Sequence, residues 1–265
     1  MVLYDCMQLA MNTEKFLVAG GNPTLLIWDC PADQQVAIAK QRLATGDVEQ
    51  VGFVSSENGA MYLTMMGNEL CINAALALAS VGGSSGKFFT RGIDYLVSYA
   101  NEDTSTIEPR PPFMRQGAPI TTIELRLLFK QEAETIVFDG IGYSCFSRET
   151  TVTKAQVISL AKRYKLPAFG IIECRGNSIT PHVYVAETGL LIDESACGSG
   201  SIAASIVLGV EDVIQPSGET INVKRTGNNF TVSAPVRIIP DEAARPGVKA
   251  SHSRRAGKYG LTNIK

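Results

Sequence analysis

No apolar stretch in this chain approaches the roughly 20 residues that a membrane-spanning helix needs, so no role inside a membrane is expected. An excess of charge of either sign is missing too. The 24 Lys and Arg residues against 26 Asp and Glu leave a formal net charge of −2, which gives no electrostatic footprint for nucleic acid. The opening residues Met1-Val2-Leu3-Tyr4-Asp5-Cys6 lack the basic and apolar regions of a signal peptide, and a cytoplasmic location is the default expectation. The six cysteines, Cys6, Cys30, Cys71, Cys145, Cys174 and Cys197, contain no C-x-x-C pair and no Cys/His set at zinc spacing. No metal site is therefore expected, and in a reducing compartment these should be free thiols. What is present is an ordinary globular composition, 45% hydrophobic and 19% charged over 265 residues. That length suits one large domain or two modest ones, with a sizeable core either way.

A polar, proline-rich stretch from Asn101 to Pro119 divides the chain near its middle and reads as a linker. The flanking halves follow similar scripts. In the first, Thr24–Trp28 reads as a strand, Ala32–Ala44 as an amphipathic helix with Val36, Ala39 and Leu43 on one face, and Val51–Val54 and Met61–Thr64 as short strands. In the second, Ile123–Phe129 and Thr135–Phe138 read as strands, and Lys154–Tyr164 as a helix with Val157, Ile158 and Ala161 on its apolar face. Phe169–Ile172 and Val183–Ala186 follow as strands. Tyr95–Tyr99, Thr220–Lys224 and Phe230–Val236 complete the two halves. This is an internal repeat in pattern more than in identity.

Each half then delivers a cysteine at the start of a small, greasy helix. One is Leu70-Cys71-Ile72-Asn73-Ala74-Ala75-Leu76; the other is Ala196-Cys197-Gly198-Ser199-Gly200-Ser201-Ile202. Both helices are apolar on nearly all sides, which requires central burial. The expected architecture is α+β, with two pseudo-symmetric lobes, each a mainly antiparallel curled sheet around one buried helix. Residues 1–118 would form the lobe carrying Cys71 and residues 119–247 the lobe carrying Cys197. The basic tail, about 248–265, would pack back on the first lobe. Gly-Ser-Gly after Cys197 frees the backbone to aim several N–H groups at one spot. A thiol at a helix N-terminus should also ionise more easily than a free one. Cys30, Cys145 and Cys174 read as buried structural thiols, and Cys6 carries no signal.

These residues resemble the cofactor-independent amino-acid racemases and epimerases of the diaminopimelate epimerase type. Cys197-Gly198-Ser199-Gly200 matches that superfamily's second catalytic motif, Cys71-Ile72-Asn73 is similar to its first, usually Cys-Gly-Asn, and Gly21-Asn22-Pro23 resembles its N-terminal Gly-Asn segment. The likeness covers the whole chain in layout and three short motifs in sequence. It implies Cys71 and Cys197 as paired acid/base groups. It further implies a substrate site made by Asn22, Ile72, Asn73, Gly198, Ser199 and Gly200, with no cofactor, no metal and room for a homodimer. Ile72 departs from the usual Gly. The Glu-Arg-Gly segment that would hold the distal carboxylate of diaminopimelate is also replaced, here by Glu187-Thr188-Gly189. That change implies a single-headed amino acid as substrate. The run Met66-Gly67-Asn68-Glu69-Leu70-Cys71 is closer to the histidine racemase branch.

Inverting an α-carbon requires removal of a proton from one face and delivery of another to the opposite face. A thiolate base and a thiol acid on opposite sides of the carbon satisfy this, and helix N-termini would steady the developing enediolate-like charge. Glu69, Asp193 and Glu194 could bind an ammonium or a basic side chain, or serve as helix caps. His182 reads as structural. Competing readings are diaminopimelate epimerase proper, a two-cysteine redox protein, a Cys197/His182 hydrolase, a phenazine-type isomerase using a carboxylate, and a non-catalytic small-ligand binder.

Overall fold

The computed structural model describes residues 12–91, 97–101, 118–147 and 152–241. Most of the expected linker, Cys6 and the basic tail lie outside these residues. Among them are sixteen strands and four helices. Two helices confirm their amphipathic patterns, α1 at Ala32–Ala44 and α3 at Lys154–Tyr164. Helix α1 buries Ala39 and Leu43, but Val36 is 39% exposed. The apolar stripe of α1 is thus narrower than expected, because one turn of the helix overhangs solvent. Helix α3 buries Val157 and Ala161 and is fixed at its start by a reciprocal Thr153/Gln156 cap.

The strands run in the order β1(Thr13–Val18), β2(Gly21–Trp28), β3(Gln50–Glu57), β4(Ala60–Met65), β5(Ser85–Thr90), β6(Val97–Asn101), β7(Ile120–Arg126), β8(Lys130–Glu132), β9(Thr135–Val137), β10(Ile141–Phe146), β11(Ala168–Arg175), β12(Ser178–Val185), β13(Leu190–Asp193), β14(Asp212–Ile214), β15(Thr220–Thr226) and β16(Asn229–Ile239). Helix α2 spans Ile72–Val81 and α4 spans Gly198–Leu208. Asn101, expected to begin the linker, is the last residue of β6.

The pairing pattern repeats. Strands β2 and β3 are parallel across α1, as β10 and β11 are across α3. Each pair continues into an antiparallel hairpin, β3–β4 and β11–β12. A parallel crossover through the greasy helix follows, β4–α2–β5 and β12–α4–β14. The halves end in the antiparallel runs β5–β6–β7 and β14–β15–β16. Strands β8 and β13 are additions of the second half.

In the first lobe the sheet closes on itself. The ring β1-β2-β3-β4-β5-β6-β7-β16 returns to β1, and α2 touches all eight strands. The return is made by Val236–Ile239 of β16 against Lys15–Val18. In the second lobe the sheet curls around α4, which packs on β10, β11, β12, β14 and β15. Closure explains why α2 is apolar on every side. Every residue from Ile72 to Ala79 is buried, and truncating one of its leucines should cost about 2–5 kcal/mol. Helices α1 and α3 sit outside the two sheets over small secondary cores. No helix among the described residues is long and apolar enough to cross a membrane.

Candidate active site

Helices α2 and α4 both begin immediately after a cysteine. Cys71 (φ −133°, ψ 106°) and Cys197 (φ −140°, ψ 103°) are extended and occupy the N-cap position. Each sulfur accepts an N–H from its own first turn, Ala74 at 3.3 Å and Gly200 at 3.2 Å. A thiol therefore stands where a Ser or Asp oxygen usually caps a helix.

The two helix mouths are built into each other. The Asn73 Oδ1 accepts the first N–H of α4, from Gly198, at 2.9 Å, while its Nδ2 donates to the Ala196 carbonyl at 3.0 Å. Ser199 returns both bonds. Its Oγ accepts the first N–H of α2, from Ile72, at 3.3 Å and donates to the Leu70 carbonyl at 3.4 Å. The second residue of each helix thus caps the other helix. Ile72 and Gly198 meet at this junction. A Cβ on Gly198 would lie 2.7 Å from Ile72 Cγ2, so the room vacated by one glycine is filled by the isoleucine that replaces the other.

One cavity lies over both mouths. It is lined by Cys71, Cys197, Asn73, Gly198 and Ser199, by Glu49, Gln50, Glu69, Tyr143 and Glu194, and by an aliphatic wall. The sulfurs have different partners there. The Cys71 thiol donates to Gln50 Oε1 at 2.9 Å, and Gln50 Nε2 donates to Glu194 Oε1 at 2.9 Å. Cys197 lies 3.5 Å from the Tyr143 hydroxyl, and the neighbouring Glu194 raises its pKa further. Gln215 Oε1 accepts the Cys197 N–H at 2.9 Å and its amide donates to Ser201 and Val213, which fastens the start of α4.

The electrostatics are one-sided. Three buried or half-buried carboxyls, Glu49, Glu69 and Glu194, line the cavity, and among the described residues no Lys, Arg or His does. Burial pushes Glu69 up to about 7 against the pull of the Gly67 and Glu69 N–H groups. Burial likewise takes Glu194 up to about 8, opposed by its bonds with Cys197 and Gln50 and reinforced by Glu49 and Glu69. Both thiols are pushed well above the ordinary cysteine range, first by burial and then by these carboxylates. The expected easy ionisation is thereby overturned. Desolvation of a buried thiolate outweighs the helix N-terminus. One oxygen on each of Glu69 and Glu194 has no hydrogen-bond partner although it is buried. The arrangement can take a proton at one sulfur and give one at the other, and it invites a cation.

Comparison with known proteins points the same way. Residues 18–94 match the family described as the histidine racemase CntK N-terminal domain. A histidine racemase of Fusobacterium nucleatum is 27% identical over 215 residues, covering 73% of this chain and 79% of that protein. A histidine racemase of Staphylococcus aureus is 25% identical, covering 70% and 76%. In fold, a predicted epimerase of Pseudomonas aeruginosa superposes with a TM-score of 0.55 at 11% identity, covering 87% of this chain and 97% of that one. The chain is an isomerase of the amino-acid racemase and epimerase class.

For such an enzyme the expected site residues divide into two groups. Cys71, Cys197, Asn73, Gly198 and Ser199 line the cavity. Asn22, Ile72 and Gly200 stand behind it. Asn22, at φ 47°, donates its side-chain amide to Ala196 at 2.8 Å and its N–H to Ser195 Oγ at 2.6 Å. The Gly-Asn turn therefore braces the approach to Cys197. Gly21 is required there, since a Cβ would lie 2.8 Å from the Ser195 backbone. The N–H groups of Gly198 and Gly200 are committed to Asn73 and Cys197, which leaves the Ser199 N–H as the uncommitted donor of that turn. His182 pairs with Asp193 at 2.6 Å, away from the cavity lining. Gln50 and Tyr143 were not expected. Gln50 opens β3 and Tyr143 sits inside β10, and neither belongs to a motif.

Proposed function

We propose that the protein racemises histidine by a two-thiol mechanism. The observation that carries this reading is the matched pair of N-cap thiols, Cys71 and Cys197, on one cavity. The histidine racemase match over residues 18–94 supports the substrate. The substrate's carboxylate lies at the two helix mouths and takes the Ser199 N–H, while its α-ammonium pairs with the unpartnered oxygen of Glu194. That cation offsets the carboxylate charge that adds to burial in holding the thiols protonated, so substrate binding makes a thiolate more accessible. One cysteine, as thiolate, removes the α-proton. The C–H electron pair moves into the carboxylate to give an enediolate, steadied by helix N-termini. The other cysteine, as thiol, returns a proton to the opposite face and is left as thiolate. Reversing the roles converts the other enantiomer.

On this reading the two halves of the sequence, residues 1–118 and 119–247, each supply one acid/base. The enzyme works in the cytoplasm, where both thiols stay reduced. The test is incubation with L-histidine in D2O and reducing buffer, followed by NMR of the α-position and chiral analysis. Deuterium at the α-carbon and drift to the racemate, without added cofactor, are expected. A redox protein would give no exchange, and absence of exchange with histidine ends the proposal.

A further inference from the structure

We propose that Glu69 selects the substrate side chain, its unpartnered carboxylate oxygen accepting the imidazole N–H of histidine. This rests on the reading above and names the group that makes the site specific. Glu69 is only 5% exposed and lines the cavity, and its Oε2 is buried with no hydrogen-bond partner. A buried acceptor left unpaired costs about 1–3 kcal/mol, which a ligand donor would recover.

The surroundings define the donor's chemistry. Met66, Leu70, Ile141, Val183, Val185 and Ile192 supply the aliphatic part of the lining of the cavity that Glu69 shares. A Cβ on Gly67 would meet Glu69 Oε2 at 2.6 Å and Val185 Cγ1 at 2.7 Å, so the absence of a side chain at Gly67 leaves room for the carboxyl oxygen beside Val185. A mostly apolar ring with an N–H at its edge supplies the donor this oxygen lacks while its carbon atoms meet the aliphatic lining. A distal carboxylate would meet Glu69 with no cation to offset it. A plain aliphatic side chain would leave Glu69 unpaired.

The pseudo-symmetry shows that Glu69 is an addition to the catalytic device. A Cβ on Gly140 would lie 3.1 Å from the Glu69 backbone, as one on Gly21 would lie 2.8 Å from that of Ser195. Glu69 stands two residues before Cys71, and Ser195 two before Cys197. Ser195 is satisfied, its hydroxyl donating to Glu49 at 2.8 Å, whereas Glu69 has an oxygen to offer. Its carboxyl, raised to about 7 by burial, titrates close to imidazole's own range, so one proton can be shared between them.

The test compares L-histidine with β-(2-thienyl)-L-alanine, a similar ring without an N–H, in α-deuterium exchange by wild type, Glu69→Gln and Glu69→Leu. Wild type should favour histidine by about 10³-fold or more in kcat/KM, because an N–H-seeking site rejects an isostere that lacks it. Glu69→Leu should shrink that preference to within about tenfold. The conservative Glu69→Gln, which keeps an acceptor and the packing, should raise the histidine KM about 10- to 100-fold with a smaller change in kcat. An unchanged preference in both variants, or equal losses on both substrates, would overturn the role of Glu69 while the racemase reading stands. Failure of wild type to exchange histidine at all would overturn both.

Discussion

The mouths of α2 and α4 share one backbone device and differ in what surrounds the sulfur. Both cysteines cap their own helix, and both second residues cap the partner helix. Yet Cys71 bonds a neutral amide, Gln50, whereas Cys197 meets a phenol, Tyr143, and feels the charge of Glu194. Duplication accounts for the likeness. The difference follows from the strands, since Gln50 opens β3 in the first lobe and Tyr143 comes from β10 in the second. Two sulfurs that handle mirror-image substrates therefore need matching geometry at the α-carbon but not matching proton partners. Microscopic reversibility ties the forward and reverse kcat/KM values together. The inequality of the sulfurs must then surface in exchange without inversion rather than in net racemisation.

That gives the largest expected effect. Cys71→Ser and Cys197→Ser should each lower racemisation by about 10²–10⁴-fold. Any residual α-deuterium washout should fall on opposite enantiomers in the two variants, since each keeps the base on one face. Chiral analysis of the recovered deuterated histidine measures this. Washout from the same enantiomer in both variants would break the two-faced picture.

A smaller effect probes the junction. Gly198→Ala should be destabilising because its methyl group meets Ile72, and Ile72→Gly should be destabilising through the lost burial. The double variant should recover about 1–3 kcal/mol relative to the sum, read as denaturation midpoints. Additive losses would show that the two positions do not share the space.

The smallest effect concerns pH. Glu69 and Glu194 have folded-state values of about 7 and about 8, above the usual 4.5. A carboxyl whose value rises on folding holds more protons in the native state. Its contribution to stability is therefore complete below about pH 4.5 and declines as pH rises toward 7–8. The Tm of Glu194→Gln should thus stay near wild type at pH 5 and exceed it by several degrees at pH 8.5. A constant gap between the two would deny that burial raises Glu194 in the folded enzyme.

Much of the fold was legible in the sequence. The bounds of α1 and α3 follow from helical spacing, and the repeat follows from recurring strand and helix patterns. The apolar girdle of α2 and α4 announces central burial. Strands β1, β5, β8, β10, β13 and β14 do not follow from the sequence pattern, because short segments such as Leu190–Asp193 and Asp212–Ile214 carry little alternation and owe their pairing to neighbours. In the site, the two cysteines, Asn73 and Ser199 could be named from motifs. Gln50 and Tyr143 could not, because they reach their sulfurs across 21 and 54 residues of chain. Asn22 was legible as important but not as a brace, since its partner Ala196 is 174 residues away. The ionisation of the thiols was misjudged for a related reason. The helix N-terminus is visible in sequence, and the loss of water around it is not.

The exchange of caps between Asn73 and Ser199 has a kinetic side. Any motion that parts the lobes to admit a substrate strips the first N–H of both helices at once and frees the Leu70 and Ala196 carbonyls. Neither half can hold a finished site alone, and none of these four bonds forms until the lobes meet. Separation of the helix mouths and loss of both caps would therefore be one event.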